Sequence, residues 1–254
     1  MAALSTADGA ALLAMVGTTT PSSASAARVT VKNGQLMFEA HARQVPLSVV
    51  DVVIVAAQPT MSRRYWPDGR QRPLCVSPDG VSPVGRAEAA FCQTCPQNVV
   101  GSAFSRNRKP VRACGYFWRV ALVALNDLTT VYSMDIGASS IFGRDTHPTD
   151  GAGFQTYTRD LTSRRVALGR VVTRMTMQDN GYAVRFRTSG FLTPEQRVLV
   201  DKIVPVAESR IQVTPATPAT PAAPVAGIDP QQGELIAMLP PDIGHIIQTV
   251  QSAQ

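Results

Sequence analysis

The sequence predicts a mainly β (α+β) domain of roughly five to seven strands, with a long loop inserted between strands and a short helix near its end. Three observations predict it. Apolar residues alternate, or run together as β-branched stretches, between Gly, Pro and Asn-Gly breaks. All four cysteines fall inside one Gly/Pro-rich stretch, Cys75 to Cys114. The clearest helix start comes late, at Thr193-Pro194-Glu195-Gln196.

The elements follow in order. Val29 to Ala40 sets an Asn33-Gly34 turn between two alternating runs, which predicts a hairpin. Val49 to Val55 is a buried-strand pattern, ended by Pro59. Met61 to Pro73 reads as a loop or edge strand. Gly115 to Leu125 predicts a strand, aromatic at its start and apolar along its length. Val131 to Ile136 predicts another, and Ser139 to Phe142 a turn. Gly151 to Leu161 predicts a helix with Phe154, Tyr157 and Leu161 on one face. Ala167 to Met177 and Tyr182 to Thr188 form a hairpin with one apolar face and one basic face carrying Arg174, Arg185 and Arg187. The helix capped by Thr193 is expected to end near Val204.

Residues 1–27 read as a small-residue N-terminal arm and not a signal peptide, because a basic start is missing and Asp8 interrupts the apolar run. Residues 28–210 form the domain. Residues 211–227 are a Pro/Ala/Thr linker. Residues 228–254 are a tail able to form a short amphipathic helix. No run reaches membrane-span length, so an intracellular, soluble protein is expected.

The Cys92-Gln93-Thr94-Cys95 pair can aim two sulfurs at one point. With Cys75 and Cys114 outside it, the pattern C-x16-C-x2-C-x18-C reads as one four-thiolate structural Zn2+ site. Small loops that bury little apolar surface gain folding energy from such a metal. Two disulfides would need an oxidising compartment, for which nothing argues. A redox CxxC wants a thioredoxin-like βαβ setting, which is missing. Four thiolates also suit an iron–sulfur cluster.

Charge is dominated by arginine, 21 Arg against 3 Lys. Residues 1–210 carry 24 basic and 15 acidic side chains, and the remainder carries only three acids. A basic body suggests a polyanion partner. Arginines and rings interleave on both sides of the cysteines. Arg63, Arg64, Tyr65, Trp66, Arg70 and Arg72 precede them; Arg106, Arg108, Lys109, Arg112, Tyr116, Phe117, Trp118 and Arg119 lie around the last. Cations for phosphates plus rings for bases are what sequence-independent single-strand binding requires. Each of those rings could equally serve the core.

The ordered block Cys75-x-Ser77-x-Asp79-Gly80-x-x-Pro83, Cys92-x-x-Cys95-Pro96-x-Asn98-x-x-Gly101-Ser102 and Ala113-Cys114 resembles a block found in tailed-phage proteins treated as single-stranded-DNA-binding or replication-associated. Residues 28 to 204 carry the resemblance, with a VVIV strand and Ser62-Arg63-x-Tyr65 upstream and VVTRMTM and YAVRF downstream. A partly open, OB-like barrel with an inserted four-cysteine zinc loop fits the inventory of elements, as would another barrel or a sandwich, and it is the fold that the resemblance suggests. The resemblance further implies single-stranded DNA as partner and work in phage replication or recombination inside the bacterial host cytoplasm; the tethered, mildly acidic tail is expected either to dock a replication or recombination protein or to pack back on its own domain or a sister chain.

Catalytic patterns are missing. The sequence holds no GxxxxGK[ST] loop, no HExxH, and no HxE with PCxxC. Asp145, His147 and Asp150 sit together but read as a solvated loop. The expectation is a binding protein, not an enzyme. The alternative is a phage structural or protein-interaction factor with a structural zinc and no nucleic-acid role.

Overall fold

Strand β4 (Val49–Ala57) and strand β10 (Cys114–Ala124) are the middle of the molecule. Both are apolar on both faces, which is why β4 reads as an unbroken β-branched run. In the computed structural model, residues 27–67, 72–85, 87–105, 108–143, 151–178 and 181–212 are described. The arm up to residue 26, the expected Pro/Ala/Thr linker from residue 213 on, the tail, the Asp145-His147-Asp150 cluster, Arg70 and Arg106 lie outside these residues.

Eleven strands make one sheet. The hairpin β1 (Arg28–Lys32) and β2 (Gln35–Ala40) turns at Asn33 and Gly34, both at positive φ, as a two-residue turn of this kind requires. Strand β3 (Arg43–Leu47) completes the meander. Strand β5 (Ser62–Tyr65) pairs with the first half of β10, while β4 pairs with the second half. Strands β6 (Cys75–Ser77) and β7 (Val84–Gly85) extend the sheet from β5. A separate two-stranded finger joins β8 (Ala103–Phe104) to β9 (Pro110–Val111). Strand β11 (Asp127–Gly137) returns along β10, and β12 (Val171–Met177) and β13 (Val184–Phe191) form the last hairpin. The path runs β13-β12-β4-β10-β11-β1-β2-β3, antiparallel except where β1 meets β11.

The sheet is curled into a half-barrel. Residues from both its ends, Phe38 and Leu47 at one and Met175 and Phe186 at the other, join one buried cluster. At one corner the two hairpin turns meet: a Cβ built on Gly34 would lie 3.4 Å from the Cα of Gly181. Helix α1 (Ala138–Ile141) and helix α2 (Phe154–Ser163) add Ile141, Phe154, Tyr157 and Leu161 to this cluster. Residues 138–141 are thus a short helix, where a turn was expected.

Helix α3 (Pro194–Ile211) covers the other face. Thr193 caps it, with Gln196 answering across the capping box. It runs seven residues past the expected end at Val204, straight through Pro205. The missing amide bond there is outweighed by packing: Ala207 and Ile211 are buried against β4 and β10, and Gln58 Nε2 donates to the Ile211 carbonyl at 3.1 Å. Ile211 therefore belongs to the domain. No helix among the described residues is long and apolar enough to cross a membrane.

Candidate functional site

The cysteine module, residues 75–114, hangs on β5, β6 and the start of β10. Tyr65 pairs with Cys114 on one side and with Cys75 on the other. Cross-strand partners share a face, so these two cysteines point the same way, about 10 Å apart across two strand spacings. Cys92 and Cys95 come from a 3-10 turn (Cys92–Thr94) followed by another (Pro96–Asn98). Cys92 is held by its amide donating to the Val81 carbonyl at 2.9 Å.

All four thiols are free. Burial, followed by the neighbouring Cys92, Cys114 and Cys95, pushes the Cys75 thiol up to about 11. Burial and Cys92 likewise raise Cys114, against the opposing pull of Arg63. The four sulfurs therefore lie in electrostatic range of one another. Among the described residues, no three Cys, His, Asp or Glu side chains are drawn in closely enough to hold a metal ion.

The polar residues of the block build the module. Asp79 Oδ1 accepts from Ser77 Oγ and from the amides of Val81 and Ser82. Burial alone would raise its carboxyl; those hydrogen bonds hold it below the ordinary value. Gly80 has φ +76° and lies so near Met61 that a Cβ would come within 2.6 Å of its carbonyl. Ser102 Oγ donates to the carbonyls of Gln97 and Val99 and accepts from the Ala113 amide, which closes the base of the finger.

Asn98 is the hub. Its Nδ2 donates to the Cys92 carbonyl at 2.8 Å, its Oδ1 accepts from Arg63, and its carbonyl accepts from Arg112 Nε at 2.7 Å. Arg63 also donates to the Tyr116 hydroxyl and lies 4.1 Å over that ring.

The cations and rings expected to face nucleic acid divide sharply. Several are committed inside the protein. Arg64 and Arg119 both pair with Asp135, and Arg64 also lies 4.8 Å over Phe117. Arg174 grips Asp51 with two nitrogens. Arg185 is buried and donates to Gln178. So the last hairpin has no continuous basic face: of its three arginines only Arg187 is exposed. Trp118 packs edge-on to Phe154 and donates through Nε1 to the Gln58 carbonyl, so its ring serves the core. Tyr116 is half-buried against Phe142, and Tyr65 is half-buried within the sheet. With Met61, Arg63 and Asp79, Tyr116 and Trp118 line a hollow of about 300 Å³.

Others are exposed. Arg72, Arg108, Lys109 and Arg112 point to solvent, with no ion pair among the described residues. Trp66 keeps 37% of its surface open while its ring meets Phe117 edge-on. The finger adds a ring that the sequence reading passed over: Phe104, 71% exposed. An isolated aromatic beside a basic loop was the available signal.

The chain matches no protein-family model, no curated protein and no solved structure.

Proposed function

We propose that the chain binds single-stranded DNA without regard to sequence, as a binding protein and not a catalyst. The observation that carries this reading is the partition of the cations. Arg64, Arg119 and Arg174, packed in the sheet, are neutralised by Asp135 and Asp51, whereas Arg108, Lys109 and Arg112 on the cysteine module and Arg72 just before it are exposed with no ion pair among the described residues, alongside Trp66 and Phe104. Exposed cations with exposed rings suit a flexible polyanion whose bases are free to stack. The likeness to tailed-phage proteins gives the setting: replication or recombination in the host cytoplasm, with the tail engaging a partner protein. The curled, open sheet is read as a relative of the OB-type barrel.

The four thiols suit Zn2+ by donor chemistry. Cys75, Cys92, Cys95 and Cys114 would hold it as thiolates, displacing the protons that burial otherwise keeps on Cys75. The ion would be structural, fixing the module on which the exposed cations stand.

The test is titration of a labelled dT oligonucleotide by anisotropy, with and without chelator. Tight binding that weakens steeply with salt is expected, and chelation should reduce it. An absence of binding at low salt ends the reading. A second reading, a phage structural or interaction factor, is favoured by one observation: Val81, Phe91, Val99 and Val100 are all more than half exposed on the same module. It predicts capture of a protein partner and no preference for single strands.

A further inference from the structure

The finger presents its side chains in a fixed arrangement. Phe104 pairs across with Pro110, and Ala103 with Val111. Cross-strand partners share a face, so Phe104 and Pro110 lie together on one side. The hairpin is closed by Ser105 and Lys109, each amide bonding to the other residue, and the Arg108 amide returns to the Ser105 carbonyl. Arg108 takes the left-handed conformation, φ 54°, at the turn. The finger's base is fixed by Ser102 and by Arg112 reaching the Asn98 carbonyl.

The result is a short, pinned ribbon with one large ring in water, exposed Arg108 and Lys109 at its turn and exposed Arg112 at its base. Nothing in the core accounts for Phe104, since its side chain is 71% exposed. Its open face is available for stacking by a flat partner. The charge beside it selects the partner: Arg108, Lys109 and Arg112 are exposed, and Asp and Glu are missing from residues 89–126. A partner both flat and polyanionic is a nucleobase on its phosphodiester chain.

We propose that Phe104 is a base-stacking residue, and that the finger is where the chain grips an unpaired base while Arg108 and Lys109 hold the flanking phosphates. This deepens the nucleic-acid reading above and rests on it.

The experiment compares a labelled dT oligonucleotide with an abasic strand of equal length, using wild type, Phe104→Ala and Phe104→Trp. Wild type is expected to prefer the dT strand. Phe104→Ala should weaken dT binding by about 5- to 100-fold, leaving abasic binding and the salt slope unchanged. Phe104→Trp should restore affinity, and its added emission should be quenched by dT. Equal wild-type affinity for both strands overturns stacking but leaves phosphate binding standing. Unchanged dT affinity in Phe104→Ala, or equal losses on both strands, also overturns it. Wild type that binds neither strand overturns the nucleic-acid reading itself. Should Phe104→Ala unfold by circular dichroism, Phe104→Trp decides alone, because unquenched emission on saturating dT refutes the contact.

Discussion

Arg63 and Asn98 are joined by a hydrogen bond from guanidinium to side-chain amide oxygen, tying the sheet to the cysteine turn. Asn98 then passes the connection to Cys92 and, through its carbonyl, to Arg112. Replacing Asn98 by Ala leaves Arg63 and the Cys92 carbonyl short of a partner. A loss of about 2 kcal/mol in denaturant unfolding is expected. Asn98→Asp keeps an acceptor for Arg63 and should lose about half as much. An unchanged midpoint for both variants would show that the hub is not structural.

Metal content tests the four thiols directly. Purified protein should carry one Zn2+ per chain by elemental analysis, and Cys92→Ser should lose it together with finger order and oligonucleotide affinity. A folded Cys92→Ser protein with full affinity contradicts the structural role. Bound iron with visible colour would replace zinc by a cluster.

Acid stability should depend on Asp135. Burial would raise its carboxyl, but the bonds from Arg119 and Arg64 outweigh burial and hold it below the ordinary carboxylate value. A depressed carboxylate stabilises fully above its unfolded value, about pH 4, and loses that contribution as pH falls through the folded value. Asp135→Asn should cost about 2 kcal/mol at pH 7 and flatten the acid limb of a stability–pH curve. A parallel acid limb in the variant would rule this out.

Tyr132 should respond in the opposite direction. Its ring is fully buried against Phe38, and its hydroxyl finds no hydrogen-bond partner among the described residues. Burial, helped by the Asp127 charge, pushes the phenol up to about 12. The folded state keeps this proton while the unfolded chain releases it, so stability is complete below about pH 10 and falls as pH rises further. Tyr132→Phe removes the orphaned hydroxyl and should gain about 1 kcal/mol, with a flatter alkaline limb. A destabilised variant would mean that the hydroxyl is satisfied.

Much of the sheet was legible because its signals are local. Asn33-Gly34 fixes a turn, the β4 run fixes a strand buried on both faces, and Phe154, Tyr157 and Leu161 fix a helix stripe. The end of α3 was not legible. Pro205 is a local stop signal, and what overrides it is packing of Ala207 and Ile211 against β4 and β10, far upstream in the chain. Nor was the partition of the arginines. Asp51 is the single acid of β4 and Asp135 stands near the end of β11, and only the pairing of β4 with β12 and of β10 with β11 brings Arg174 and Arg119 to them. The cysteine block was legible as a motif, but Ser77, Asp79, Asn98 and Ser102 turn out to bond its own turns.

The meeting of Gly34 with Gly181 has a consequence for how the chain is made. Synthesis is vectorial, and β4 emerges long before β12, the strand that covers one of its edges. Until Val171 to Phe191 leave the ribosome, Val50 and Val52 stand at an open edge of a half-built sheet. Such non-local closure is slow and exposes a sticky strand meanwhile. Nascent chains stopped before the last hairpin are therefore the aggregation-prone species of this protein, and complete translation is the step that protects it.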